Sequence, residues 1–185
     1  MKNFILLLSL VLGSTVFAED NANPVAILHT SAGDITIELY PEQAPVSVAN
    51  FLAYANEGFY DGTIFHRVEK RFVIQGGGFT SKFEKKPTRD PIINESGNGL
   101  HNDRWSVAMA RTDDPNSATS QFYINLRMNS SLDRGRGKEG YAVFGKVIDG
   151  QYVVSDISKR ETGRVANMSS VPLETVLINS VELVQ

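Results

Sequence analysis

The side chains that could do chemistry in this sequence are few, and most familiar reactive arrangements are missing. Its 185 residues include no cysteine, which excludes thiol nucleophiles, disulfides and thiolate metal sites. No Gly-x-Ser-x-Gly elbow occurs. His29, His66 and His101 are widely spaced and lack metal-ligand partners at i+2 or i+4, so each reads as a structural residue. Gly76-Gly77-Gly78 has neither the lysine nor the following helix of a phosphate cradle. It reads as a tight bend where backbone packs closely, interrupting any regular element. What stands out is clustering of another kind. Phe65-His66-Arg67-Val68 is followed closely by Phe72-Val73-Ile74-Gln75-Gly76-Gly77-Gly78-Phe79. Further on come Ser106-Val107-Ala108-Met109-Ala110-Arg111-Thr112 and Ser120-Gln121-Phe122-Tyr123-Ile124-Asn125. Taken singly, Arg67 reads as a surface charge, Phe72 and Leu132 as core, and Gln121 as an edge polar group. Only their joint arrangement points elsewhere.

The elements that must position these residues are mostly short strands. Val25 to Thr30 and Asp34 to Tyr40 flank Ser31-Ala32-Gly33 and predict a hairpin. The second run alternates, with Ile35, Ile37 and Leu39 on one face and Thr36 and Glu38 on the other. Between Val46 and Glu57 the period changes: Val48, Phe51, Leu52 and Ala55 fall at helical spacing, and Gly58 follows. Strands are predicted at Thr63 to Val68, Phe72 to Gln75, Ser106 to Ala110, Gln121 to Asn125, Ala142 to Ile148 and Thr175 to Leu183. A shorter helix is predicted at Val153 to Lys159, and residues 80–102 form a long polar excursion of the kind that often carries function. Many short strands with two helices and no strand–helix alternation indicate an antiparallel barrel or sandwich. Pattern alone stops at an exported antiparallel β protein with helical caps.

Export is read from the first eighteen residues. Lys2, the apolar run Phe4 to Leu12 and the small-residue site ending at Ala18 have the layout of a cleavable secretory signal. The run is about half the roughly 20 residues needed to span a bilayer. Residues 1–18 are therefore expected to be a signal peptide, and 19–185 one domain-sized unit. With 18 basic and 21 acidic side chains the net charge is −3. The signs are mixed, so no nucleic-acid or membrane footprint is expected. Lys85-Lys86 and Arg134 with Arg136 read as solvated loop charges.

In order and in spacing, the quoted segments resemble the cyclophilins across essentially the whole sequence after residue 18. The likeness includes Phe59-Tyr60-Asp61-Gly62-Thr63 and Val143-Phe144-Gly145-Lys146-Val147. Met109-Ala110-Arg111-Thr112 and Ser117-Ala118-Thr119-Ser120-Gln121-Phe122 are similar to the bacterial forms. The resemblance implies a mainly β fold: an eight-stranded antiparallel closed barrel capped by two α-helices, with the active groove on its outer face. It implies peptidyl-prolyl cis–trans isomerisation without cofactor or metal. The implied catalytic residues are Arg67, Phe72, Gln75 and Gln121. Val73, Ala110, Arg111, Thr112, Tyr123, Leu132 and Tyr141 would bind substrate. Implied partners are proline-containing unfolded or flexible polypeptides, with no nucleic acid and, after signal cleavage, no membrane. A monomer working in the periplasm or secreted beyond it, where it assists the folding of exported proteins, is expected.

The residue types suit this reaction. Rotation about an Xaa–Pro bond must break amide resonance, at a barrier of about 18–20 kcal/mol, and takes tens of seconds or longer unaided. Nothing is cleaved or transferred, so no nucleophile is needed. A guanidinium can hydrogen-bond the prolyl nitrogen as it becomes pyramidal, favouring the twisted state over both planar ones. Two departures from the family pattern stand out. Ser131 occupies a position that carries tryptophan in many members, where it contributes to cyclosporin binding, so weak binding of that drug is expected. Arg134-Gly135-Arg136-Gly137-Lys138-Glu139-Gly140 adds a flexible basic loop near the pocket. Two other readings stay open at this level: a barrel that holds proline segments as a chaperone without turning them over, and a lipocalin-like carrier. Intact Arg67, Phe72 and Gln121 oppose the first, and bulky inward residues oppose the second.

Overall fold

The alternation along the second predicted strand is what closes the molecule on itself. A computed structural model describes residues 22–165 and 167–184; the expected signal segment, 1–18, lies outside the described residues. The elements are β1 (Val25–Thr30), β2 (Gly33–Leu39), α1 (Pro45–Asn56), β3 (Thr63–Glu69), β4 (Val73–Thr80), β5 (Ser106–Met109) and β6 (Phe122–Asn125). After a 3-10 turn at Ser130–Leu132 come β7 (Val143–Asp149), α2 (Gln151–Ile157), β8 (Thr162–Val165), β9 (Met168–Pro172) and β10 (Leu177–Val184). Eight strands form a closed barrel in the order β1-β10-β3-β4-β6-β5-β7-β2, every neighbouring pair antiparallel.

Ile35, Ile37 and Leu39 are fully buried while Thr36 and Glu38 are not. They meet Leu28, Val107, Phe122, Ile124 and Phe144 in one filled interior. Helix α1 adds Val48, Phe51, Tyr54 and Ala55, and α2 adds Val153, Val154 and Ile157. Phe51 is the centre of this contact, with its ring 5.2 Å from Tyr60, 5.5 Å from Phe144 and 5.8 Å edge-on from Phe122. Such aromatic pairs stabilise beyond the area they bury. Helix α1 opens on Pro45, whose missing N–H costs nothing in a first turn. Its next two free N–H groups, of Val46 and Ser47, donate to the Glu95 carboxylate at 3.0 and 2.8 Å. That remote cap satisfies the helix terminus and pins the long excursion to the body.

The structure departs from expectation at the glycine triplet. Strand β4 does not stop at Gln75 but runs through Gly76-Gly77-Gly78 to Thr80. The glycines permit close approach rather than ending the strand: Gly77 has φ +80°, and a Cβ there would lie 2.9 Å from Tyr60 and 3.0 Å from Phe122. Register shifts between β3 and β4 absorb the irregularity. Helix α2 begins two residues earlier than Val153 and β10 two later than Thr175. The β8–β9 hairpin was not foreseen, because its residues are largely half-exposed and show no alternation. It packs on β3, where Ser170 Oγ donates to Glu69 at 2.7 Å.

One buried group in β3 ties stability to pH. His66 is only 6 % exposed, its ring stacks 4.7 Å from Phe79, and Nδ1 has no partner. Burial, helped by the neighbouring Arg67 charge and opposed by a bond to the Ile64 carbonyl, lowers its pKa from 6.5 to about 4. Between those values the unfolded chain binds the proton and the folded chain does not. Stability is therefore whole above pH 6.5 and falls as pH drops towards 4, by on the order of 3 kcal/mol in total. Denaturant unfolding at several pH values should show this fall, and His66→Gln, which cannot titrate, should show a flatter profile over the same window.

Candidate active site

Strand pairing sets one row of residues across the outside of the barrel. Arg67 on β3 faces Gln75 on β4, Gln75 faces Tyr123 on β6, Tyr123 faces Ala108 on β5, and Ala108 faces Val143 on β7. Their chain neighbours Val68, Ile74, Phe122, Ile124 and Val107 point the other way, into the core. Val73, Ala108, Tyr123 and Val143 bury a second, smaller apolar cluster on this outer face, with Phe72, Leu100, Ala110, Leu132 and Tyr141 packed on it.

A pocket opens over this cluster. Its lining is Arg67, Phe72, Val73, Gln75, Ala110, Arg111, Tyr123, Leu132 and Tyr141, nine of the eleven residues singled out in the sequence. The remaining two, Thr112 and Gln121, line an adjoining depression that shares Gln75, Ala110 and Arg111 with the pocket. Lys85, Ser117 and Thr119 complete that depression. None of the three had been singled out as a site residue, because Lys85 reads as a solvated charge and the others as loop polar groups. Only the folded geometry brings them beside Gln121.

Arg67 is a charged group positioned by neutral amides. Its Nη1 donates to Gln75 Oε1 at 3.3 Å, and Gln75 Nε2 donates to Gln121 Oε1 at 3.0 Å. The guanidinium carbon lies 5.8 Å from the Phe72 ring centre, within cation–π range. Glu69 stands 3.7 Å away and both groups are more than a third exposed, so this ion pair is weak. Arg111 serves differently. It stacks 4.3 Å over Tyr141 and donates to the carbonyls of Gly140, Thr112 and Glu139 at 3.1, 2.7 and 2.9 Å. It is a staple between the pocket wall and the 134–140 loop. That loop forms a tight turn: Gly135 bridges Lys138, Arg134 pairs with Glu139 at 3.1 Å, and Asn94 and Ser96 hold Gly140.

The walls that carry no charge are rings and aliphatic groups. Tyr123 and Tyr141 meet edge to face at 5.9 Å. Burial raises the Tyr123 phenol well above its ordinary range, so it stays neutral. An apolar slot with one fixed cationic donor at its rim can hold a saturated ring and polarise an atom beside it. The histidines lie elsewhere: His29 bridges Asp34 and Glu182 at 2.9 and 3.2 Å, and His101 faces Asp133 at 3.3 Å. Trp105 packs against the core and takes Arg104 over its ring at 4.3 Å.

Comparison with known proteins agrees with the fold and spans nearly the whole chain. Residues 25–183 match the family described as cyclophilin type peptidyl-prolyl cis-trans isomerase/CLD. The chain is 47 % identical to peptidyl-prolyl cis-trans isomerase A of Dickeya dadantii over 178 residues, covering 96 % of this chain and 93 % of that one. It is 49 % identical to isomerase B of Escherichia coli over 156 residues, covering 83 % and 95 %. Among solved structures, a cyclophilin type isomerase of Cryptosporidium parvum, determined in the presence of the dipeptide Ala-Pro, superposes with a TM-score of 0.71. Identity there is 27 %, and coverage is 87 % of this chain and 99 % of that one.

Gly78 makes room for the amide chain. A Cβ at that position would sit 2.5 Å from Gln121 Cγ and 2.7 Å from its Nε2. Gly78→Ala should therefore push Gln121 off Gln75 at a cost of about 1–3 kcal/mol. Urea unfolding should report the loss, and the Gln75 side-chain amide resonances should shift while core methyl signals stay in place.

Proposed function

The chain belongs to the cyclophilin-type peptidyl-prolyl cis–trans isomerases, and from that premise we propose that the Arg67 pocket is where it turns Xaa–Pro bonds. The enzyme accelerates rotation about such bonds in proline-containing polypeptides. The proline ring enters the slot of Phe72, Val73, Tyr123 and Leu132, and Arg67 donates to the prolyl nitrogen as the amide twists. Gln75 and Gln121 hold the guanidinium in line. Ala110, with Arg111 and Thr112 beside it, lines the approach of the residue before proline, and Tyr141 closes the far wall.

The observation that carries this reading is the Arg67–Gln75–Gln121 chain beside the apolar side chains of Phe72, Val73 and Leu132. In the planar ground states the prolyl nitrogen's lone pair is delocalised and accepts no hydrogen bond. In the twisted state it is localised and does. A donor fixed beforehand at that point stabilises the transition state selectively. Charge-assisted bonds contribute roughly 1.5–3 kcal/mol, about one to two factors of ten in rate. Confinement of the ring in a water-poor slot supplies the remainder.

The wider setting follows from the signal pattern of residues 1–18. The mature protein works in the periplasm on exported polypeptides, assisting their folding where proline isomerisation limits it. The protein works as a monomer. Ser131 is exposed beside Leu132, so the rim offers cyclosporin no indole and binding is weak.

Arg67→Ala is expected to lower kcat/KM on an Ala–Pro peptide about 10- to 100-fold with the fold intact, in a protease-coupled assay. Arg67→Lys should recover little, since an ammonium lacks the rigid fork. A folded wild type inactive on several Xaa–Pro peptides would sink the reading, and a fully active Arg67→Ala would move the site elsewhere. Separately, Ser131→Trp should tighten cyclosporin binding about tenfold or more in a calorimetric titration.

A further inference from the structure

Next to the pocket lies a set of buried polar side chains that the reaction as described leaves without a role. Asn102 and Asn125 are 1 % and 0 % exposed and Asn129 is 3 % exposed, a density of buried amides that a core avoids unless each is bonded. Here each is. Asn102 Oδ1 accepts from the Tyr123 hydroxyl at 2.7 Å and from Asn125 Nδ2 at 3.1 Å. On its other side, the Asn102 backbone N–H and Nδ2 both donate to Asp133 Oδ1, at 2.7 and 2.9 Å. Asn125 Nδ2 donates also to Ser106 Oγ at 2.9 Å, and its Oδ1 accepts from Asn129 Nδ2 at 2.7 Å.

Several bonds of this cluster end on walls of the pocket. Asn129 Nδ2 donates to the Phe72 carbonyl at 3.0 Å, and the Leu132 N–H donates to the Asn129 carbonyl at 2.8 Å. The Asn129 N–H in turn donates to the Asn102 carbonyl at 2.8 Å, and the Tyr141 N–H to the Leu132 carbonyl at 2.9 Å. Phe72 and Tyr141 lie on loops and Leu132 in the 3-10 turn, all outside the strand ladders that fix Tyr123 and Gln75. Asn102 is bonded at once to the strand side, through the Tyr123 hydroxyl, and to the loop side, through Asp133 and Asn129. The Asp133 carboxylate suits this place: burial opposes its charge, but the bonds from Asn102 and His101 hold its pKa below the ordinary value. It stays an anion and an unconditional acceptor at neutral pH.

We propose that Asn102 is a positioning residue for the isomerase, joining the Tyr123 hydroxyl to Asp133 so that the strand floor and the loop walls of the pocket keep one fixed spacing. It touches no substrate and acts through Tyr123 and Leu132. The inference rests on the reading of the Arg67 pocket as the catalytic site.

The experiment is a double-mutant cycle on kcat/KM, measured per folded molecule with an Ala–Pro peptide and checked by near-UV circular dichroism. Asn102→Ala leaves the tyrosine and Asp133 without their common partner and is expected to lose about tenfold. Tyr123→Phe removes only the hydroxyl and is expected to lose about threefold. Because both cut one link, the double variant should lose no more than Asn102→Ala alone. A packing role would lower the unfolding midpoint while leaving kcat/KM per folded molecule unchanged. Losses that multiply, or an unchanged kcat/KM in both folded single variants, overturn the proposal. If Asn102→Ala fails to fold, Tyr123→Phe decides alone: wild-type kcat/KM overturns it, a threefold loss supports it. Arg67→Ala run in parallel separates the claims. Full activity there removes the pocket reading and the inference together, whereas an inactive Arg67→Ala beside wild-type Asn102 and Tyr123 variants removes only the inference.

Discussion

In a closed barrel with a filled interior, a strand side chain has two places to go and no third. Ile37, Phe122, Ile124 and Phe144 occupy the inside completely, so whatever chemistry the strands carry must lie outside. Antiparallel register then does the positioning. A one-residue slip of β4 would turn Ile74 outward and Gln75 inward, exposing an apolar side chain worth roughly 1.5–3 kcal/mol of burial and burying an amide without a partner. The same slip would pull Gln75 away from Arg67. Core packing and site geometry are thus enforced by one register, and the row Arg67, Gln75, Tyr123 is as well fixed as the core beneath it.

Strands supply the floor of the pocket, but loops supply much of its rim, and loops have no ladder to hold them. Their backbone groups still need partners when buried, and here side chains provide them. Glu95 caps α1 from within the long excursion. Asn50 Nδ2 donates to the Thr119 carbonyl at 2.6 Å, and the Tyr54 hydroxyl accepts from the Arg89 N–H at 2.9 Å. Arg111 fastens the 134–140 turn. Residues 81–102 and 126–142 are largely irregular in conformation yet tied to the body by such bonds, which lets a loop wall be definite.

How much of this the sequence carried depends on what kind of signal each part leaves. Period-two alternation and helical spacing mark β2 and α1 because burial on one face selects residue type at every second or every third to fourth position. The eleven proposed site residues were legible only through likeness to a family; taken alone, Arg67 is an ordinary surface charge. The triplet Gly76-Gly77-Gly78 misled in one respect: the close backbone packing it signals is present, but β4 runs through it without a break. The β8–β9 hairpin left no trace because its exposed residues were under no patterning constraint. Asn102, Asn125 and Asn129 sit in or beside polar stretches, where a buried amide and a solvated one are written with the same letter. Their partners are up to 57 positions away, and no local window holds that information.

The way Arg67 is tethered explains why amides and not acids surround it. A carboxylate at hydrogen-bond distance would orient a guanidinium best, but it would also neutralise the charge that must act on the prolyl nitrogen. Gln75 and Gln121 accept and pass on hydrogen bonds while carrying no net charge. The nearest anion, Glu69, is kept at 3.7 Å and partly in water, where its screening of Arg67 is slight. The guanidinium is therefore oriented without being compensated. Gly78 completes the arrangement from across the strand, because only a residue without a Cβ leaves Gln121 the space to lie against β4 and reach Gln75. A glycine with no functional group of its own is in this way part of what aims the arginine.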